Sequence, residues 1–182
     1  MCGFVGFLGG DLRTTTDGET LLSNMAKKIV SRGPDDSGSW YDPVNRVGLA
    51  HRRLAIVDLT SAGHQPMISA SGRYTIAFNG EIYNHFKLRK DIGDTGVNVG
   101  WRGHSDTETI VSGFDVWGVE ETIQRSIGMF AFAVWDSKDQ KLTLGRDRIG
   151  EKPLYYGWQG NAFIFGSELK ALKQHPVLNS SV

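Results

Sequence analysis

The chain has 182 residues, 20 Lys+Arg against 20 Asp+Glu, and a 40% share of hydrophobic residues. That length fits one ordinary domain with a sizeable core, and the balanced charge gives no bulk field toward nucleic acid or an anionic membrane. A single cysteine, Cys2, excludes an internal disulfide and fits a reducing cytoplasm. Residues 1–10 lack the basic start of a signal peptide, and Asp11 and Arg13 interrupt their apolar run. Myristoylation needs glycine after the methionine, where this chain has Cys2. No run approaches the roughly 18 consecutive apolar residues of a membrane span. A cytoplasmic protein is expected, with neither nucleic acid nor membrane as partner.

In chain order, residues 3–8 are apolar, β-prone and closed by Gly9-Gly10, which predicts a buried strand. Leu21, Leu22, Met25 and Ile29 recur at helical spacing, and this helix should end near Ser31-Arg32-Gly33-Pro34. Residues 47–50 and 54–57 read as short strands flanking the basic His51-Arg52-Arg53. Residues 74–78 form a strand ending at Asn79-Gly80, 86–92 a short helix, and the glycine-rich stretch 93–103 a loop. Thr107, Ile110, Val111, Phe114 and Trp117 mark a helix with Ser105 or Asp106 as N-cap. A short helical piece follows within 119–127.

The last third is β-rich, at 129–135, 141–144, 154–158 and 162–165, and a helix starts near Glu168. Residues 130–135 are apolar on both alternating faces, so that strand is covered on both sides. Two sheets stacked face to face, with helices outside, give an α+β fold. No internal repeat or linker precedes residue 175, and the tail Asn179-Ser180-Ser181-Val182 reads as the start of a linker or the chain end.

Four places could carry chemistry. A cysteine thiol is only a few per cent ionised at neutral pH and needs a base. If Met1 is removed, as expected before a small residue, Cys2 gains an α-amine with an ordinary pKa of about 7.7–8.0 that can take and return the thiol proton. The alternative is a small buried hydrophobe in a strand. Asn79-Gly80 offers a side-chain amide and an unobstructed backbone N–H, a pair suited to an oxyanion, although Asn-Gly is also a common hairpin turn. Of Arg52 and Arg53, strand alternation lets at most one face a given pocket, where it could grip a carboxylate bidentately. Asp106 could pair with an ammonium group or cap a helix. The five histidines show no zinc-like spacing and no phosphate-binding glycine loop is present, so no metal or cofactor is expected in this chain.

Together, Met-Cys-Gly at 1–3, Arg-Gly-Pro-Asp at 32–35, His-Arg-Arg-Leu-Ala-Ile-Val-Asp at 51–58 and Gln-Pro-Met at 65–67 form an ordered set. It continues through Asn-Gly-Glu-Ile-Tyr-Asn at 79–84, Ser-Asp-Thr-Glu at 105–108 and Gly-Met-Phe-Ala-Phe-Ala at 128–133. Gly-Arg-Asp-Arg-Ile-Gly-Glu-Lys-Pro-Leu-Tyr-Tyr at 145–156 and Gly-Ser-Glu-Leu-Lys-Ala-Leu at 166–172 complete it. This set resembles the glutaminase domain of class II (N-terminal-nucleophile) glutamine amidotransferases, in the glutamine-hydrolysing asparagine synthetase branch.

The resemblance implies a four-layer αββα sandwich, the N-terminal-nucleophile hydrolase fold, with two mainly antiparallel sheets between helices. It implies hydrolysis of L-glutamine to glutamate and ammonia. Cys2 would attack the side-chain amide, Asn79 and Gly80 would hold the oxyanion, Arg53 the α-carboxylate and Asp106 the α-ammonium, with Glu81 assisting. Leu54, Ala55, Ile56 and Val57 would line the pocket. Charged Arg32, Asp35, Asp147, Arg148 and Glu168 would anchor loops or face a partner domain. Residues 1–175 would be the glutaminase unit and 176–182 the start of a linker. The ATP-pyrophosphatase domain that usually follows, with its ATP and magnesium, is absent, so ammonia would pass to such a domain or subunit, in a possible homodimer.

The loop 97–104, with Trp101-Arg102-Gly103-His104, resembles members associated with surface polysaccharides, which implies as the alternative reading an acceptor other than aspartate. Two further readings stand beside these: another N-terminal-nucleophile hydrolase, and a silent regulatory module if Met1 is retained.

Overall fold

The computed structural model describes residues 2–11 and 14–179; Met1 and the tail 180–182 lie outside them. The elements are β1 (Gly3–Gly9), α1 (Thr15–Lys27), β2 (Asp36–Asp42), β3 (Val47–Arg53), β4 (Met67–Ile68) and β5 (Tyr74–Ile82). They continue with α2 (His85–Asp94), α3 (Asp106–Trp117), α4 (Val119–Arg125), β6 (Gly128–Asp136), β7 (Lys141–Arg146), β8 (Tyr155–Gln159), β9 (Ala162–Gly166), α5 (Leu169–Leu172) and α6 (Pro176–Asn179). Two antiparallel sheets result, with strand orders β2-β3-β1-β9-β8 and β4-β5-β6-β7.

Three apolar layers hold the sandwich together. Leu21, Leu22, Met25 and Ala26 of α1 pack on Val5 and Phe7, the outer face of β1. The start of α1 is fixed by a capping box, with Thr14 Oγ1 accepting Asp17 N–H at 3.1 Å and Asp17 Oδ2 accepting Thr14 N–H at 3.0 Å. Phe4, Leu49 and Phe165 of the first sheet meet Ala77, Ala131 and Ala133 of the second. Small residues on one inner face let large ones fill the gap from the other. Ile110, Val111 and Phe114 of α3 cover Ile76, Phe78, Phe132 and Val134 on the far side. The expected αββα layering therefore holds, and β6 is buried on both faces.

Alternation along the strands decides what enters the space between the sheets. Cys2 continues the inward side of Phe4, Arg53 that of Leu49, and Asn79 that of Ala77. Three candidate residues, one just before β1 and the others on β3 and β5, thus share one end of the sandwich. Arg52 points the other way, so one of the two arginines faces the pocket.

The structure corrects several boundaries. β5 does not end at Asn79-Gly80 but pairs with β6 as far as Ile82 opposite Gly128, which excludes a hairpin turn there. Glycine is required at position 80 in mid-strand because a Cβ would collide with the Met129 carbonyl and Phe130. Residues 54–57 are not a strand: β3 stops at Arg53, and Ile56, Val57 and Leu59 lie exposed in a flap. The sequence reading does not anticipate β2, a half-exposed edge strand, the two-residue β4, or α6.

Candidate active site

Cys2 immediately precedes β1, flanked by β3 and β9. Its carbonyl accepts Arg32 Nε at 3.0 Å, and Arg32 Nη1 is paired with Glu168 Oε1 at 3.0 Å. The thiol lies against the first residue of the flap: Leu54 N–H donates to Sγ at 3.3 Å, and Sγ lies 3.5 Å from the Leu54 carbonyl. Burial pushes the thiol pKa up, while the Leu54 hydrogen bond and the Arg53 charge pull it down. A thiol held above its ordinary value needs a base nearby before it can act as a nucleophile.

A cavity of about 120 Å³ opens beside it, lined by Cys2, Arg53, Leu54, Ile56, Val57, Asn79, Gly80, Glu81 and Asp106. Ala55 is the one expected lining residue outside it; its N–H donates to Asp35 Oδ2 at 2.8 Å. Asn79 is buried, and its Nδ2 has no hydrogen-bond partner. Along β5 the N–H groups of alternate residues turn away from β6. That of Phe78 goes to Gln65 Oε1 at 2.7 Å and that of Ile82 to Asp106 Oδ2 at 2.9 Å. Gly80 lies between them, so its N–H faces the same open edge. Two donors, one side-chain and one backbone, are presented together.

Asp106 is the first residue of α3, whose N-cap is Ser105, with Ser105 Oγ accepting Glu108 N–H. Its carboxylate is buried and accepts Ile82 N–H and, at 2.8 Å, Thr107 N–H. Burial pushes its pKa up against those two bonds. A cation arriving there would pull the pKa back down. Arg53 is also buried; Nη1 donates to Thr60 O at 2.9 Å and Nη2 to Asp58 O. Its remaining N–H donors are free to meet a carboxylate. Gly63 makes this seat possible, since a Cβ there would strike the guanidinium.

The flap is itself anchored. Asp58 accepts Thr60 N–H and Oγ1 at 2.8 and 2.7 Å and His104 N–H at 2.8 Å, which lowers its pKa to about 2. Asp147 receives the N–H groups of Phe130, Ile149, Gly150 and Glu151, so it anchors a loop, as do Arg32, Asp35 and Glu168. Gln65, Thr107, Met129 and Lys152 also line the cavity. All four stand in the ordered motifs, but none is legible there as a site residue, because only the fold shows which member of each motif reaches the cavity. Among the described residues, no group of three or more His, Cys, Asp or Glu could hold a metal ion. No helix among them is long and apolar enough to cross a membrane.

The family described as "Glutamine amidotransferase domain" matches residues 1–182. The chain belongs to the glutamine amidotransferase domain family. It is an enzyme domain similar to asparagine synthetase [glutamine-hydrolyzing] 3 of Bacillus subtilis, 38% identical over 184 residues covering 100% of this chain and 29% of that protein. Asparagine synthetase [glutamine-hydrolyzing] 1 of the same organism is 40% identical, over 94% of this chain and 26% of its own length. The chain thus spans less than a third of these relatives. Among solved structures, glutamine phosphoribosylpyrophosphate amidotransferase from B. subtilis superposes with a TM-score of 0.76 at 17% identity, covering 94% of this chain and 43% of that one. That likeness shows the N-terminal-nucleophile amidotransferase fold for this glutamine amidotransferase domain.

Proposed function

We propose that this domain hydrolyses L-glutamine through a thioester on Cys2 and hands the ammonia to an ATP-dependent synthetase domain, with aspartate as acceptor. The observation that carries the reading is Asn79 Nδ2, a buried donor without a partner beside the Gly80 N–H in the cavity that holds the thiol. An unpaired buried donor is costly unless an acceptor arrives, and a developing oxyanion is such an acceptor.

In the proposed cycle Met1 is removed and the Cys2 α-amine takes the thiol proton. Sγ attacks the side-chain carbonyl carbon, and the oxyanion is held by Asn79 and Gly80. The tetrahedral species collapses with its nitrogen protonated by the Cys2 ammonium; ammonia leaves and a γ-glutamyl thioester forms. The amine then takes a proton from water, which adds to the thioester, and glutamate departs as the thiol is restored. Arg53 and Asp106 would hold the α-carboxylate and α-ammonium, with Glu81 beside them. A pocket with a cationic and an anionic partner suits an α-amino acid better than another amide, which argues against a different hydrolase.

A route for ammonia is supported by a second cleft of about 380 Å³ that shares Met129 with the cavity and carries Ile127 and Ile149, 62% and 86% exposed. Residues 1–175 would form the glutaminase unit, in the cytoplasm, with ATP and magnesium acting only on the synthetase domain. The aspartate acceptor rests on the relatives' names. The test is glutamate release from L-glutamine by protein beginning at Cys2. Stoichiometric glutamate and ammonia are expected, with none from Cys2→Ala and little from protein retaining Met1. Absence of glutamate from protein whose N-terminus is verified as Cys2 would overturn the reading.

A further inference from the structure

Gln65 belongs to neither sheet, yet it is 5% exposed and both ends of its side-chain amide are engaged on the cavity wall. Oε1 accepts the N–H of Phe78 at 2.7 Å, one residue before Asn79. Nε2 donates to Thr107 Oγ1 at 3.2 Å, one residue after Asp106. The Phe78 N–H can only donate, so the orientation of the amide follows from the pairing. The Phe78 carbonyl is taken from the other side by His51 Nε2 at 2.9 Å. The peptide groups leading into Asn79 are therefore held at both N–H and C=O.

Along the open edge of β5, Gln65 occupies the N–H of Phe78 and Asp106 that of Ile82, which leaves Gly80 N–H between them. The Ile82–Asp106 bond joins β5 to α3 on one side, and Gln65 with Thr107 joins the same two elements on the other. The frame has two ties.

We propose that Gln65 is a positioning residue that sets the separation between Asn79-Gly80 and Asp106, and with it the length of amino acid amide the cavity accepts. The inference rests on the glutaminase reading. Glutamine must present its side-chain carbonyl to the first pair and its α-ammonium to the carboxylate at once. A shorter homologue can satisfy only one of them. Small displacements of such a frame are felt strongly in rate.

The test compares alkylation of Cys2 by a chloroketone analogue of glutamine, by the asparagine analogue one methylene shorter, and by iodoacetamide, in protein beginning at Cys2. Gln65→Leu should slow the glutamine analogue about tenfold or more, narrow its lead over the asparagine analogue, and leave iodoacetamide within about twofold. Thr107→Val, which replaces the hydroxyl with a methyl of similar size, should shift the same ratio and add nothing further in combination with Gln65→Leu. Equal slowing by all three reagents, or no slowing, would overturn the inference. Should Gln65→Leu not fold, an unchanged ratio in Thr107→Val overturns it alone. Unaltered protein that reacts with the glutamine analogue no faster than with iodoacetamide overturns the glutaminase reading, and this inference with it.

Discussion

Asn79 puts an unpaired amide donor into a cavity where Cys2 Sγ is held by Leu54 N–H. Such a donor matters most when charge develops on oxygen, so its loss should act on kcat. Asn79→Ala is expected to lower kcat for glutamate release by about 10²–10³-fold while KM stays within a few-fold. A rise in KM at constant kcat would instead make Asn79 a ground-state binding group. Cys2, Arg53 and Asp106 are legible in the sequence as candidates because each offers a reactive or charged group, and Asn79-Gly80 because an amide next to an unobstructed backbone N–H is a recognisable donor pair. Gln65, Met129 and Thr107 are not, since an amide, a thioether or a hydroxyl has many uses and only the fold brings these into the pocket.

At the scale of elements, a buried polar contact links the two sheets: His51 on β3 meets the Phe78 carbonyl on β5 at 2.9 Å. Its Nδ1 is buried without a partner, and burial lowers its pKa from 6.5 to about 4. Between those values the unfolded chain binds a proton that the folded chain does not. Stability is therefore complete above about pH 6.5 and is lost as pH falls toward 4, by up to about 3 kcal/mol from this residue. His85 and His175, also lowered by burial, act in the same sense. The urea midpoint should drop between pH 7 and pH 5, and His51→Gln should remove part of that drop. An unchanged slope would show that His51 is not responsible.

The strands with strong apolar patterning, β1, β5, β6 and β9, are legible because their burial writes a pattern into sequence. The flap is misread for an instructive reason: Leu54, Ile56 and Val57 are apolar like strand residues, but their surface lies against the pocket or solvent rather than in a sheet. β2 is missed because Asp36, Ser37, Gly38 and Ser39 form a half-exposed edge that leaves almost no apolar signal.

For the whole molecule, the inner-face alternation that fills the core with Phe4, Leu49 and Ala77 also carries Cys2, Arg53 and Asn79 to one end of the sandwich. The chain spans 29% and 26% of its two Bacillus subtilis relatives, and the exposed Ile127–Ile149 cleft next to the cavity suits contact with a further domain. In the proposed reaction glutamine becomes a γ-glutamyl thioester on Cys2. That step is tested most directly by trapping the acyl group with hydroxylamine during turnover by protein beginning at Cys2. γ-Glutamyl hydroxamate should replace glutamate one for one as hydroxylamine rises, and Cys2→Ala should form neither. Glutamate release that hydroxylamine does not divert, or that survives in Cys2→Ala, would contradict thioester formation.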